Sequence, residues 1–271
     1  MQHHITFGIP MRKRPVAICF LLSASALLCR CTEPVSPPYE VPDIAGQYAY
    51  FPLQIGKYVD YSTDSVVYDF GPGGGMLRDS SRTLVREVVT DTFRDHTGQL
   101  LYRIERFERA ADDLPWQVRQ VVSASRSATQ AIRTENNLRF LKLVFPLGFR
   151  SQWNGNQWID QYQEIEIAGE RIRPFIYWHY EVDSLDIPAT IGAFQLDSVL
   201  VVTEVDETNA IERRLSRAKY AKHIGLVWRE QWILDSQYCN QVPTPADCLS
   251  KPWEEKAQTG YMVRQTITGY N

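Results

Sequence analysis

Long apolar runs, charge of one sign and histidine are all in short supply in this 271-residue chain, and each shortage excludes something. The one long uncharged apolar run, Val16 to Leu28, is 13 residues, whereas a bilayer-spanning helix needs about 20. A multi-span membrane protein is therefore excluded. The 29 Lys+Arg and 32 Asp+Glu leave a formal charge of -3, without the basic excess of a dedicated nucleic-acid binder. G-x-S-x-G, H-E-x-x-H, G-x-x-x-x-G-K-[ST] and a strand-to-helix G-x-G-x-x-G are all missing, so no catalytic residue and no cofactor is implied. Beyond the N-terminal region only His96, His179 and His223 remain. Two fall in predicted turns and one in a strand, which reads as solvated or half-buried side chains, and no metal site is implied. What the chain does have is 44% apolar and 12% aromatic residues, a globular composition.

Met11-Arg12-Lys13-Arg14 precedes the apolar run, and polar, proline-rich sequence begins at Thr32. That layout predicts a secretory signal peptide over residues 1–30, with Met11 as the alternative start. Leu27-Leu28-Cys29-Arg30-Cys31 closes the run. It resembles the lipobox of bacterial lipoproteins, with Leu28 three residues before Cys31, although Arg30 stands where that family has Gly, Ala or Ser. Cys31 is the expected lipidation site and Cys29 the alternative acceptor, with an unlipidated secreted protein as the third reading. Several acyl chains on one cysteine supply the second anchor that stable membrane attachment needs. Cleavage before Cys31 leaves 241 residues with 25 basic and 32 acidic side chains, a formal charge of -7. Anionic head groups repel such a body, so attachment rests on the lipid.

Only Cys239 and Cys248 remain for the folded body, and in an exported protein two such cysteines predict a disulfide. They bracket a turn-rich segment containing Pro243 and Pro245. A pair of metal ligands is the weaker alternative, since no histidine or further cysteine lies near in sequence. Residues 31–47, with Pro34, Pro37, Pro38 and Pro42, read as an extended tether. Residues 48–271 read as a single β-rich domain.

In that domain, segments rich in Val, Ile, Thr, Tyr, Phe and Trp alternate with turn chemistry. Expected strands are Lys57 to Asp69, Arg82 to Arg94, Leu100 to Arg109 and Trp116 to Ala124 and, after Leu138 to Phe145, a second set of Ile159 to Ala168, Phe175 to Asp183, Phe194 to Asp206, Ala210 to Lys222, Gly225 to Leu234 and Gly260 to Tyr270. Ala210 to Lys222 also carries helical spacing at Ile211, Leu215 and Ala218. Gly71 to Gly75 reads as a hairpin, because no lysine and no helix follow it to hold a phosphate. The fold class is mainly β: antiparallel meander sheets forming a curved sheet, an open barrel or a sandwich. Phe51-Pro52-Leu53 and Phe145-Pro146-Leu147 form a weak echo, consistent with two related halves meeting near residues 138–150.

Tyr50-Phe51-Pro52-Leu53-Gln54-Ile55-Gly56-Lys57-Tyr58, after a lipidation signal and a proline-rich tether, and Tyr220-Ala221-Lys222-His223-Ile224-Gly225-Leu226-Val227 near the end resemble the opening and closing segments of uncharacterised envelope lipoproteins of the Bacteroidota type. The chain departs from that pattern at Tyr58 or Val59, where a Trp is usual, and at His223, where a smaller residue is usual. The resemblance implies a β-dominated lipoprotein of the outer membrane and brings no activity with it.

Acidic pairs such as Glu164 with Glu166 and Asp112 with Asp113 are what a wet sheet face contains as well as what a glycosidase needs. Aromatics give the better lead: Trp153, Trp158 and Tyr177 are the candidate binding surface, with a two-layered core as the alternative explanation. The leading reading is a non-catalytic binding or structural component of the envelope with a protein or glycan partner. A carrier or sensor of hydrophobic ligands in a curved-sheet cavity is the runner-up, and a hydrolase with an unrecognised carboxylate site the third.

Overall fold

A computed structural model describes residues 43–71, 73 and 75–271. The expected signal peptide, both candidate lipidation sites, Cys29 and Cys31, and most of the tether lie outside the described residues. The packed domain begins at about Asp43 rather than at residue 48, because α1 (Ile44–Gln47) docks on the body. Gln47 explains the docking: its side chain donates to the Leu147 carbonyl at 3.0 Å and accepts from the Leu147 N–H at 2.6 Å.

Fourteen strands follow: β1 (Tyr58–Phe70), β2 (Met76–Arg94), β3 (Leu100–Arg109), β4 (Gln117–Arg126), β5 (Gln130–Glu135), β6 (Leu138–Val144), β7 (Gln152–Trp153), β8 (Ile165–Ile167), β9 (Glu170–Ile172), β10 (Tyr180–Ile191), β11 (Phe194–Thr208), β12 (Glu212–Ala221), β13 (Gly225–Asp235) and β14 (Thr259–Tyr270). A second short helix, α2 (Trp253–Lys256), precedes the last. Twelve strands form one antiparallel sheet in the order β6-β5-β4-β3-β2-β1-β14-β13-β12-β11-β10-β7, and β8 and β9 form a separate hairpin. Since β14 pairs with β1, the first and last strands lie side by side within the sheet, and its two edges, β6 and β7, face each other. The Leu141 N–H donates to the Gly155 carbonyl at 2.8 Å across that gap, which makes the sheet a nearly closed barrel and leaves little open edge.

Local chemistry accounts for the hairpins. Asn136 and Asn137 both take left-handed φ values, 49° and 62°, as the two-residue turn between β5 and β6 requires. Ala210 to Lys222 is strand, not helix: β12 pairs on both sides, with β11 and β13. One expected strand shrinks and another shifts along the chain. Only Ile165–Ile167 of Ile159 to Ala168 is extended, and the chain from Pro174 to Tyr177 is a turn, so the strand expected from Phe175 begins at Tyr180. Phe175 and Trp178, three apart, both point into the core, while the Trp178 indole donates to the Pro174 carbonyl at 2.6 Å. A compact turn therefore does what the alternation suggested a strand would do. Strand β5 and the distal half of β10 were not anticipated from the sequence.

The main core lies inside the barrel, where Ile104, Val122, Leu141, Leu143, Leu200 and Val202 meet rings from Phe140, Phe175 and Tyr180. The N-terminal segment closes one end: the His223 N–H donates to the Ala49 carbonyl at 2.7 Å and Arg126 binds the carbonyls of Tyr48 and Phe51, each at 2.8 Å. The β8–β9 hairpin packs against β14.

Candidate binding site

The barrel interior is charged. Glu87, Glu135 and Glu204 face Arg133, Lys142 and Arg229 around a cavity of about 80 Å³ whose wall also carries Lys57, Tyr58, Tyr61 and Tyr220 among apolar side chains. Buried ions of this kind are costly unless paired, and most of these are. Arg133 holds Glu87 through two bonds of 2.9 and 2.7 Å and also contacts Glu135. Lys142 donates to Glu204 at 2.7 Å, and Ser216 donates to the second Glu204 oxygen at 2.7 Å. Lys142 also lies over the rings of Phe140 and Tyr180.

Strand geometry places these groups. In β11 the register shifts between Thr203 and Val205, so Glu204 is the extra residue of a bulge, a device that re-aims a side chain. Burial alone would raise the Glu204 carboxyl, but Lys142 and Arg229 outweigh it and hold it below the usual carboxylate range. Burial likewise opposes ionisation of Glu135, yet Arg133, Arg229 and Lys142 bring it down to about 2. Burial pulls the Lys142 ammonium below its ordinary value despite Glu204.

Arg229 differs from the other two cations. Its Nε is buried without a hydrogen-bond partner, and among the described residues its guanidinium makes no ion pair. It is held in the charged form through space by Glu204 and Glu135, against burial. Directly across from it on β14 is Gln265, and across from that on β1 is Thr63. Gln265 Nε2 and Thr63 Oγ1 are also buried without partners. Three neighbouring strands thus carry a row of unsatisfied polar atoms, where native interiors ordinarily satisfy such groups with protein, water or ligand.

Arg229 and Glu135 also line a second pocket of about 290 Å³, towards the β8–β9 hairpin, with Gln163, Gln231, Phe140, Phe175, Trp178 and Tyr261. Phe175 and Trp178 continue into a third hollow of about 330 Å³ beside Asn156. These sites went unnoticed in the sequence, although one signal was present: Lys142 and Glu204 each interrupt an otherwise apolar strand run.

The aromatic residues singled out from the sequence separate. Trp153 is buried, donates to the Leu141 carbonyl at 2.9 Å and packs on Tyr180 at 5.6 Å between ring centroids, so it serves the seam and offers no surface. Trp158 is exposed with the Arg139 guanidinium 4.2 Å from its ring centre, and Tyr177 is exposed in the 174–177 turn. His96, His179 and His223 are exposed and far apart in the chain, with His179 just ahead of β10 rather than inside a strand. Glu164 pairs with Arg173 at 3.3 Å and Asp112 with Arg109 at 2.5 Å. Cys239 and Cys248 are not bonded to each other in this structure; the Cys239 thiol donates to the Cys248 carbonyl at 3.0 Å.

No family model matches the chain, and no curated protein matches it. Two crystal structures show partial likeness. A chain provisionally named a lipoprotein, from Parabacteroides distasonis, is 8% identical with a TM-score of 0.34, over 82% of this chain and 98% of that one. A chain provisionally named an exported protein with YmcC-like fold, from Bacteroides fragilis, is 11% identical with a TM-score of 0.31, over 81% of this chain and 99% of that one.

Proposed function

We propose that the chain is an exported, lipid-anchored binding protein of the cell envelope, acylated at Cys31 and attached to the outer membrane, whose ligand site is the interior of its barrel. Cys239 and Cys248 form a disulfide in that oxidising compartment. The anchor rests on the basic cluster, the apolar run and Leu28 in the sequence. The binding role is carried by one observation: Arg229, a charged side chain lining the barrel interior, has no direct protein partner among the described residues and borders two cavities.

Two considerations favour binding over the other readings. A hydrolase working through a pair of carboxyls in this cavity needs one of them held protonated as general acid, whereas neighbouring cations bring Glu135 down to about 2 and hold Glu204 below the ordinary range. A carrier of wholly apolar molecules needs a dry cavity, commonly of about 300–1,000 Å³, whereas the cavity here is about 80 Å³ and lined by seven charged side chains.

Native mass spectrometry of the full-length protein extracted from its own envelope tests the proposal. The expected spectrum shows a chain beginning at Cys31 with acyl mass and a bound small molecule that Arg229→Met loses. Bare protein in both wild type and variant would overturn the binding role, and acyl mass retained in Cys31→Ser would move the anchor.

A further inference from the structure

The pocket towards the β8–β9 hairpin combines hydrogen-bonding groups of both kinds with flat apolar walls. The Arg229 guanidinium supplies donors. Glu135 supplies an acceptor: Arg133 engages only Oε1, and Oε2 makes no hydrogen bond among the described residues. Gln163 and Gln231 offer amides that can do either. The walls are rings: Phe140 and Phe175 are 6.1 Å apart between centroids, as are Phe175 and Trp178.

Charge balance narrows the ligand. The pocket is lined by one acid, Glu135, and one base, Arg229. A ligand with net charge of either sign would leave that balance broken in a medium where an uncompensated ion is expensive. A fatty chain would leave Arg229 and Glu135 Oε2 without partners. A neutral molecule with many hydroxyls and flat C–H faces answers every wall at once, since each hydroxyl can accept from Arg229 and donate to Glu135. The adjoining hollow again sets rings beside hydrogen-bonding groups: Phe175 and Trp178 border it with Asn154, Asn156, Gln157, Gln161 and the Asp160 carboxylate. Asn156 is 6% exposed, and its Nδ2 has no partner.

We infer that the interior pocket of the barrel takes a neutral saccharide, whose ring lies against Phe175 and Trp178 and whose hydroxyls bridge Arg229 and Glu135. This rests on the barrel-interior binding role proposed above and names its ligand class.

Isothermal titration of the purified mature protein with maltose, cellobiose, N,N′-diacetylchitobiose, galacturonate and laurate separates the two claims. At least one neutral disaccharide is expected to bind, and its affinity to fall at least tenfold in Arg229→Met. Gln163→Ala, in an exposed loop where folding is not at stake, is expected to weaken the same disaccharide severalfold. Binding of galacturonate alone, lost in Arg229→Met, would overturn the neutral ligand, and binding of laurate alone, lost in the same variant, would overturn the saccharide, while the interior site stands in both cases. Binding of none of the five would overturn the saccharide, and the envelope-extracted protein's mass spectrum would still decide the interior site. Disaccharide binding unchanged in both variants would place the sugar elsewhere and overturn the assignment.

Discussion

Leu141 and Gly155 close the barrel: a 2.8 Å hydrogen bond from the Leu141 N–H to the Gly155 carbonyl, backed by the Trp153 indole donating to the Leu141 carbonyl at 2.9 Å, joins the sheet edges that no strand ladder joins. Gly155 is required there because a Cβ would sit 2.1 Å from the Tyr180 ring. Gly155→Ala is expected to lower unfolding free energy by about 1–3 kcal/mol, the range for overpacking a filled site. Urea denaturation reads this, and an unchanged midpoint would mean that the seam yields easily.

The two tryptophans near the seam should behave oppositely. Trp153→Ala empties a core site and gives up the bond to Leu141, for a loss of about 3–5 kcal/mol. Trp158→Ala removes an exposed ring resting under Arg139 and should cost under about 1 kcal/mol. Similar losses for both in thermal melts would contradict their placement.

Lys142 and Glu204 form a buried pair. Lys142→Met alone strands a carboxylate and should cost about 3–5 kcal/mol, whereas Lys142→Met with Glu204→Leu should recover much of that. A double variant as unstable as the single one in chemical denaturation would show that Glu204 is held mainly by its other partners.

Acid should weaken the fold in a defined window. The Glu135 carboxyl is depressed from 4.5 to about 2, so its stabilising contribution is complete above about 4.5 and disappears as pH falls towards 2. Stability measured from pH 6 to 2 should fall over that interval in the wild type and less steeply in Glu135→Gln. Parallel curves would show that the carboxyl is not depressed.

Cys239 and Cys248 lie close enough for one thiol to reach the other residue's carbonyl. Peptide mapping without reduction of envelope-derived protein should find them linked, adding about 2.5–3 kcal/mol by chain entropy. Free thiols at both positions would refute the pairing.

The fold was largely legible in the sequence because a meander with polar turns writes itself as period-two alternation. Leu100–Arg109 matches the expected strand at both ends. Misreadings came where local geometry mimics alternation, as at Phe175 and Trp178, or where a strand is short and mixed, as at Gln130–Glu135. The site was largely illegible for a related reason. Arg133, Lys142, Glu204 and Arg229 come from four strands, and Glu204 faces inward through a bulge whose existence depends on β12. Charges on a strand look like a wet face until pairing shows which way they point.

The most direct test of the interior site is a crystal structure of the protein extracted from its own envelope and never unfolded. Non-water density within hydrogen-bonding reach of both the Arg229 guanidinium and Glu135 Oε2 is the predicted result. An interior holding only water, or Arg229 paired directly with Glu135 or Glu204, would contradict it.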